Sequence, residues 1–326
     1  MKNLFIIGTP LQLINAIEAI NNFKLKNNIL VIVHRSLEAN RTQLDKIRNL
    51  YEWEEIIDIE YSKHSSLLKY IDLVKHLKMY AYKYIFFPKL EVIPKIVIAN
   101  VKKEKVFLLD DGTMTIMIYE NNIKTNKLNE YNFKEIRFLF FGLKIKIRDK
   151  INLFTYFDLP SVNGIEVVKN NLSYLKDDVK NGKKDDDTIF FLGQPLTNII
   201  DDATYRNSLE NITKQYNKKL IYIPHRGETK EKIDYLSKLD NPYFSVKDIG
   251  MPAELFFLNN NIYPTHVMSY YSTALTTLDM IYDDCIINYI KVPENSKSKA
   301  AFDRNLRKYY EVFGSDKILT LQDLGM

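Results

Sequence analysis

The feature that most constrains this chain of 326 residues is an alternation that runs twice along it. Short apolar runs are separated by longer amphipathic stretches. A brief run that is apolar at nearly every position is the mark of a strand covered on both faces, which is how strands of parallel sheets are buried. In the first half such runs predict strands at residues 4–8, 29–33, 55–60, 84–87 and 106–109, with helices over 10–23, 41–50 and 65–80. A polar stretch at 179–187 reads as an exposed loop, and the alternation then restarts. Strands are predicted at 188–193, 219–224, 243–246, 265–270 and 285–290, and helices at 203–216, 229–238, 252–258, 272–282 and 302–312. The fold class is α/β, with two Rossmann-like, doubly wound parallel-sheet domains spanning 1–158 and 159–326. Residues 126–157 break the rhythm. Their mixture of basic and aromatic residues reads as a packed helix pair with a solvated basic face, against a rim that touches acceptor or lipid headgroups.

In doubly wound sheets, ligands sit outside the carboxyl ends of the strands. The unusual residues of this chain gather there, and a cleft between facing domains is the expected place for a site. Gly8, Thr9, Pro10 and Gln12 follow the first strand. They describe a capped helix start, and such a start can meet an anion or a sugar. Asp110 and Asp111 follow the fifth strand and precede Gly112. Adjacent carboxylates there are costly unless hydrogen-bonded or used; one could take the proton of an attacking hydroxyl, or the three residues could form an Asx turn.

Gln194 follows the strand 188–193 and offers both a donor and an acceptor. Asp201 and Asp202, a little further on, read either as a helix start or as carboxylates of a site. His225, Arg226 and Glu228 follow the strand 219–224. His225 can donate to a phosphate oxygen, Arg226 can hold two oxygens, and Glu228 can hold a ribose diol or orient Arg226. Ser272 and Thr273 begin a helix, as a phosphate cradle or as an N-cap. His266 lies within a strand and reads as a core histidine.

Composition narrows the partners. A net charge of +5 suits solubility, an anionic ligand or an anionic membrane surface. No arginine run is interleaved with aromatics, so nucleic acid is not expected. Cys285 is the one cysteine, which precludes a disulfide framework or a cysteine metal cluster and suits a reducing compartment. No signal-peptide pattern and no run of ~18 apolar residues is present. The expected location is cytoplasmic, at most peripheral to the inner membrane, and a homodimer stays open.

The segments TPLQLINAIEAI, LLDDGT, FFLGQPL, YIPHRGE and SYYSTALTTLD, in that order, resemble those of bacterial sialyltransferases, with glycosyltransferase family 52, the lipooligosaccharide sialyltransferases, as the nearest likeness. The resemblance spans about residues 4–279. It implies a GT-B fold, CMP-sialic acid as the donor, inversion at the anomeric carbon, and neither metal nor cofactor. It makes Asp110 or Asp111 the general base, with Asp201 or Asp202 in reserve. It makes His225 the group that meets the departing CMP, with Ser272 and Thr273 on the phosphate. Gly8, Thr9, Pro10, Gln12, Gln194, Arg226 and Glu228 complete the donor-binding set. Where the family carries His-Pro, this chain carries His225-Arg226. The expected acceptor is a terminal galactose of a surface glycan such as lipooligosaccharide, O-antigen or capsule, joined through an α-2,3 linkage. Two other readings stand beside it: a transferase of the same fold using another nucleotide sugar, and a non-catalytic nucleotide-binding or assembly protein.

Overall fold

The computed structural model describes residues 1–35, 38–61, 67–129, 133–179, 182–196, 199–292 and 317–325. The chain divides into two compact units, Met1–Tyr174 and Leu175–Met326.

The first unit is built on a seven-stranded sheet in the order β3-β2-β1-β4-β5-β6-β7. The strands are β1 (Lys2–Ile7), β2 (Asn28–His34), β3 (Glu55–Glu60), β4 (Ala81–Phe87), β5 (Lys102–Leu109), β6 (Ile151–Thr155) and β7 (Val167–Lys169). Every pairing is parallel. Because both faces are covered, β2 is buried at all of its positions and β1 at all but the first. Helices α1 (Pro10–Phe23), α2 (Glu38–Ile47), α3 (Leu67–Leu77) and α4 (Val92–Asn100) supply that cover. Two short helices, α5 (Thr113–Ile118) and α6 (Phe133–Ile136), lie between β5 and β6. The core joins Leu4, Ile29 and Val31 of the strands to Val74, Leu77 and Val97 of the helices.

The second unit, whose boundary falls within α7 (Ser173–Val179), repeats the scheme. Its sheet runs β11-β10-β9-β13-β14-β15, built from β9 (Thr188–Leu192), β10 (Lys219–Ile223), β11 (Phe244–Val246), β13 (His266–Ser269), β14 (Ile286–Ile290) and β15 (Ile318–Leu319). These pairs are also parallel. Strands β8 (Lys183–Asp185) and β12 (Ile262–Pro264) form a separate parallel pair. The helices are α8 (Asp202–Tyr216), α9 (Lys230–Ser237), α10 (Ala253–Asn259) and α11 (Thr273–Ile281).

Three expectations are corrected. The segment 126–157 is not a helix pair: after α6 and a 3-10 turn (Arg137–Phe141) it ends in β6, paired to β5. The first unit continues to Tyr174 rather than stopping at 158, because β7 extends its sheet. The stretch 179–187 is not wholly a loop, since β8 lies within it. Helix α4 was not foreseen; it is apolar and follows β4 after a short turn. The expected helix at 302–312 lies outside the described residues. His266 is buried and its Nε2 lies 2.7 Å from Asn288 Oδ1, as a core histidine should be placed.

Candidate active site

In each unit the strand order reverses between two neighbours, β1 and β4 in the first and β9 and β13 in the second. The loops leaving such a reversal part to opposite faces, and the gap between them is where ligands of doubly wound sheets bind. The polar residues picked out in the sequence lie at these two carboxyl edges.

At the first edge, Thr9 caps α1 and Pro10 takes its first position. Thr9 Oγ1 accepts the N–H of Gln12 at 3.4 Å, while Gln12 Oε1 accepts the N–H groups of Gly8 and Thr9 at 2.7 and 3.2 Å. This reciprocal cap leaves one end of the Gln12 amide to point outward. Its Nε2 donates to Asp111 Oδ1 at 2.7 Å, and Lys89 Nζ lies 2.7 Å from Asp111 Oδ2. The Asp111 carboxylate is thus gripped from both sides, yet it keeps 11% of its side-chain surface exposed.

Asp110 is different. It is wholly buried. Its Oδ1 accepts the Thr155 hydroxyl and its Oδ2 the Tyr156 N–H, both at 2.7 Å, and its carbonyl accepts Asn15 Nδ2 at 3.0 Å. Burial pushes its pKa up to about 7, against the opposing pull of the Thr155 and Tyr156 hydrogen bonds and of the Lys169 charge. Asp110 therefore ties the end of β5 to the end of β6. Gly112 follows the two aspartates at φ +60° and ψ −140°, a backbone shape that side-chain-bearing residues rarely adopt. Beside Asp111's partners opens a pocket with about 470 Å³ of empty space, its open mouth included, lined by Gly8, Thr9, Gln12, Arg35, Tyr61 and Lys89 among others. Arg35 pairs with Glu91 and lies 5.6 Å from the Tyr61 ring centroid.

At the second edge, the loops after β9, β10 and β13 are tied together. Gln194 Oε1 accepts the Tyr271 N–H at 3.0 Å, Ser269 Oγ donates to the Leu192 carbonyl at 2.7 Å, and Lys232 Nζ donates to the Gln194 carbonyl at 2.8 Å. Gln194 is itself buried, at 8% exposure. Ser272 caps α11, its Oγ accepting the Ala274 N–H at 3.3 Å, and Thr273 opens the helix.

The loop carrying His225 is the most heavily built. Glu228, with no exposed side-chain surface, accepts the Tyr222 hydroxyl at 2.6 Å and the His225 N–H at 2.8 Å, and pairs with Lys232 at 2.5 Å. Lys232 also sits 3.7 Å from the Tyr205 ring centroid. Burial pulls the Lys232 pKa down and Glu228 pulls it back up. Glu228, expected to meet a ribose or Arg226, instead holds the loop together from beneath.

His225 Nδ1 accepts the Gly227 N–H at 3.0 Å. A nitrogen that accepts from a backbone amide carries no proton, so the tautomer assigned from this bond is neutral with the proton on Nε2. The residue is exposed. Desolvation, then the charges of Arg226 and Lys232, bring its pKa down to about 4. At neutral pH His225 therefore carries no charge and has Nε2–H as its ring donor. The Arg226 charge is felt by Glu254, a buried carboxyl pushed up by desolvation that accepts the Thr277 hydroxyl at 2.5 Å.

The reserve pair lies apart in role. Asp201 caps α8, accepting the Thr204 N–H and hydroxyl at 2.8 Å each, and these bonds lower its pKa. Asp202 is the first residue of that helix. Sequence reading missed Lys89, Tyr222, Lys232 and Glu254. Only Lys232 left a local trace, standing four residues after Glu228 with a helix starting between them. Among the described residues, no group of three or more His, Cys, Asp or Glu stands where it could hold a metal ion.

Two Rossmann-like parallel-sheet units in tandem, each with a polar cluster at its carboxyl edge, define a GT-B-type fold. The family model of the alpha-2,8-polysialyltransferases matches residues 3–291, and the chain belongs to that family. The match makes it a member of a sialyltransferase family; the family it names is that of the alpha-2,8-polysialyltransferases, whereas the nearest likeness of the sequence motifs is to the lipooligosaccharide sialyltransferases. No curated protein matches it. Solved structures with a similar fold include the UDP-GlcNAc 2-epimerase of Methanocaldococcus jannaschii, at 14% identity and a TM-score of 0.53, covering 96% of this chain and 92% of the other. The UDP-N-acetylglucosamine 2-epimerase of Rickettsia bellii follows at 12% identity and TM-score 0.51, covering 97% and 90%. The UDP-GlcNAc 2-epimerase of Neisseria meningitidis bound to UDP-GlcNAc stands at 12% and 0.50, covering 95% and 91%. At these identities the likeness is one of fold.

Proposed function

We propose that this protein is an inverting sialyltransferase that moves sialic acid from CMP-sialic acid to a hydroxyl of a bacterial surface glycan. The observation that carries the reading is the family match across residues 3–291, and the two edges supply groups suited to its chemistry. The reaction must take a proton from the acceptor hydroxyl and stabilise negative charge on the departing CMP. Asp111 is the better base, since its carboxylate, held by Gln12 and Lys89, keeps exposed surface, whereas Asp110 is wholly buried with its oxygens turned to Thr155 and Tyr156. His225 donates from Nε2 to a phosphate oxygen, Arg226 contributes charge, and the start of α11 at Ser272 and Thr273 contributes backbone and hydroxyl donors. Gly8, Thr9 and Pro10 shape the edge beside Asp111. Gln194 braces the donor loops, Glu228 acts through His225, and Asp201 and Asp202 serve α8.

The family match favours a terminal sialic acid as acceptor over the terminal galactose. The test offers CMP-sialic acid with a sialyl oligosaccharide or with a lactoside, with and without EDTA, and measures CMP release and the linkage formed. Release with the sialyl acceptor, insensitive to EDTA, is expected. Release only with the lactoside moves the acceptor to galactose. No release from CMP-sialic acid, with turnover of another nucleotide sugar, replaces the donor. No turnover of any nucleotide sugar leaves the non-catalytic reading.

A further inference from the structure

The 3-10 turn Arg137–Phe141 presents three consecutive apolar side chains to solvent: Leu139 at 50% exposure, Phe140 at 86% and Phe141 at 49%. Isolated exposed apolar residues need no explanation, but a contiguous group with two phenylalanines does. The turn is anchored from within by Phe138, Leu143 and Ile147, all buried. The strip that follows is fixed as well. Asn100 exchanges two hydrogen bonds with the Lys144 backbone, at 2.7 and 2.9 Å, and Asn129 exchanges two with that of Ile147, at 2.9 and 2.8 Å.

Along this strip the side chains alternate. Leu143 and Ile147 point inward, while Lys144, Lys146 and Arg148 are exposed. The nearby acids do not neutralise them: Glu135 is buried with Lys95 and Asp149 pairs with Lys103. Among the described residues, none of the three cations forms an ion pair.

From this arrangement we infer that residues 139–148 form a docking surface for an anionic lipid bilayer, the apolar turn entering the acyl boundary and the basic strip meeting the headgroups. The pairing of the two features selects the partner. A polyanionic glycan would engage the cations but leaves three apolar side chains in water, whereas an anionic bilayer accommodates both. The surface lies in the first unit and does not depend on which donor the enzyme uses.

The full chain is sedimented with vesicles of phosphatidylcholine alone or mixed with phosphatidylglycerol, at low and high salt. Binding to the mixed vesicles is expected, weakening as salt shortens the Debye length from ~10 Å at 0.1 M to ~3 Å at 1 M. Phe140→Asp with Phe141→Asp, and separately Lys144→Glu with Lys146→Glu, should each lower the bound fraction at least about tenfold. Both changes should preserve the thermal midpoint, since all four positions are exposed. The inference is overturned if wild type stays in the supernatant, if it binds neutral and anionic vesicles alike, or if either double variant binds as wild type does. Self-association abolished by the aspartate pair, without vesicle binding, assigns the patch to a protein interface instead.

Discussion

Asp110 and Asp111 are neighbours in sequence but opposites in environment, and they should separate in experiment. Asp111→Asn keeps the shape and the Gln12 contact, gives up the ion pair with Lys89 and removes the proton acceptor, so kcat should fall by ~10²-fold or more with the fold intact. Asp110→Asn should act on stability instead. An amide in place of the carboxylate sets a donor against either the Thr155 hydroxyl or the Tyr156 N–H. The pH dependence gives a sharper test. The folded-state pKa of Asp110 is raised from 3.8 to about 7, so between those values the folded chain binds more protons than the unfolded one. Stability from this group is present below the unfolded pKa and lost as pH rises through the folded one. The difference in thermal midpoint between wild type and Asp110→Asn should therefore shrink by a few degrees from pH 5 to pH 8. A constant difference refutes the buried, titrating carboxyl. The sequence displayed both aspartates but could not rank them, because ranking depends on Thr155 and Tyr156, some 45 residues away along the chain.

At the scale of elements, the loop after β10 keeps its shape through its partner strand as much as through its own residues. Gly193, at the end of β9, lies against Glu228 and Tyr222. A Cβ there would sit inside van der Waals contact of the Glu228 carboxylate and 2.5 Å from Tyr222 Oη. Gly193→Ala should therefore displace Glu228, cost about 1–3 kcal/mol, and lower kcat/KM by moving His225, read by thermal unfolding and by steady-state kinetics on one preparation. Wild-type values for both would show that the loop does not need this packing. The elements legible in the sequence were those with uniform burial. The runs that became β1, β2 and β9 are apolar nearly throughout because both faces are covered. Strand β6 was hidden by Asn152, whose side chain bridges to Val106 and Glu166 inside the sheet, and by the basic residues before it. Lys89 was equally silent, because its link to Asp111 exists only once β4 lies beside β5.

For the molecule as a whole, the division of polar groups between two units makes a claim about which unit receives the nucleotide. The second edge offers neutral and cationic donors: the His225 Nε2–H, Arg226, and the hydroxyls and amides at the start of α11. The first edge offers the Asp111 carboxylate, held by Gln12 and Lys89. A phosphate would be repelled by the latter and stabilised by the former. CMP at about 100 times its dissociation constant should stabilise the chain by ~2.7 kcal/mol through mass action alone. In hydrogen–deuterium exchange the protection it confers should centre on residues 193–196, 224–229 and 271–274, which leave the strands β9, β10 and β13. His225→Ala should weaken that protection, while Asp111→Asn should leave it unchanged because its deficit lies in proton transfer. Protection confined to residues 8–12 and 110–113, with the second edge exchanging as before, would exchange the roles of the two units and with them the assignments of His225 and Asp111.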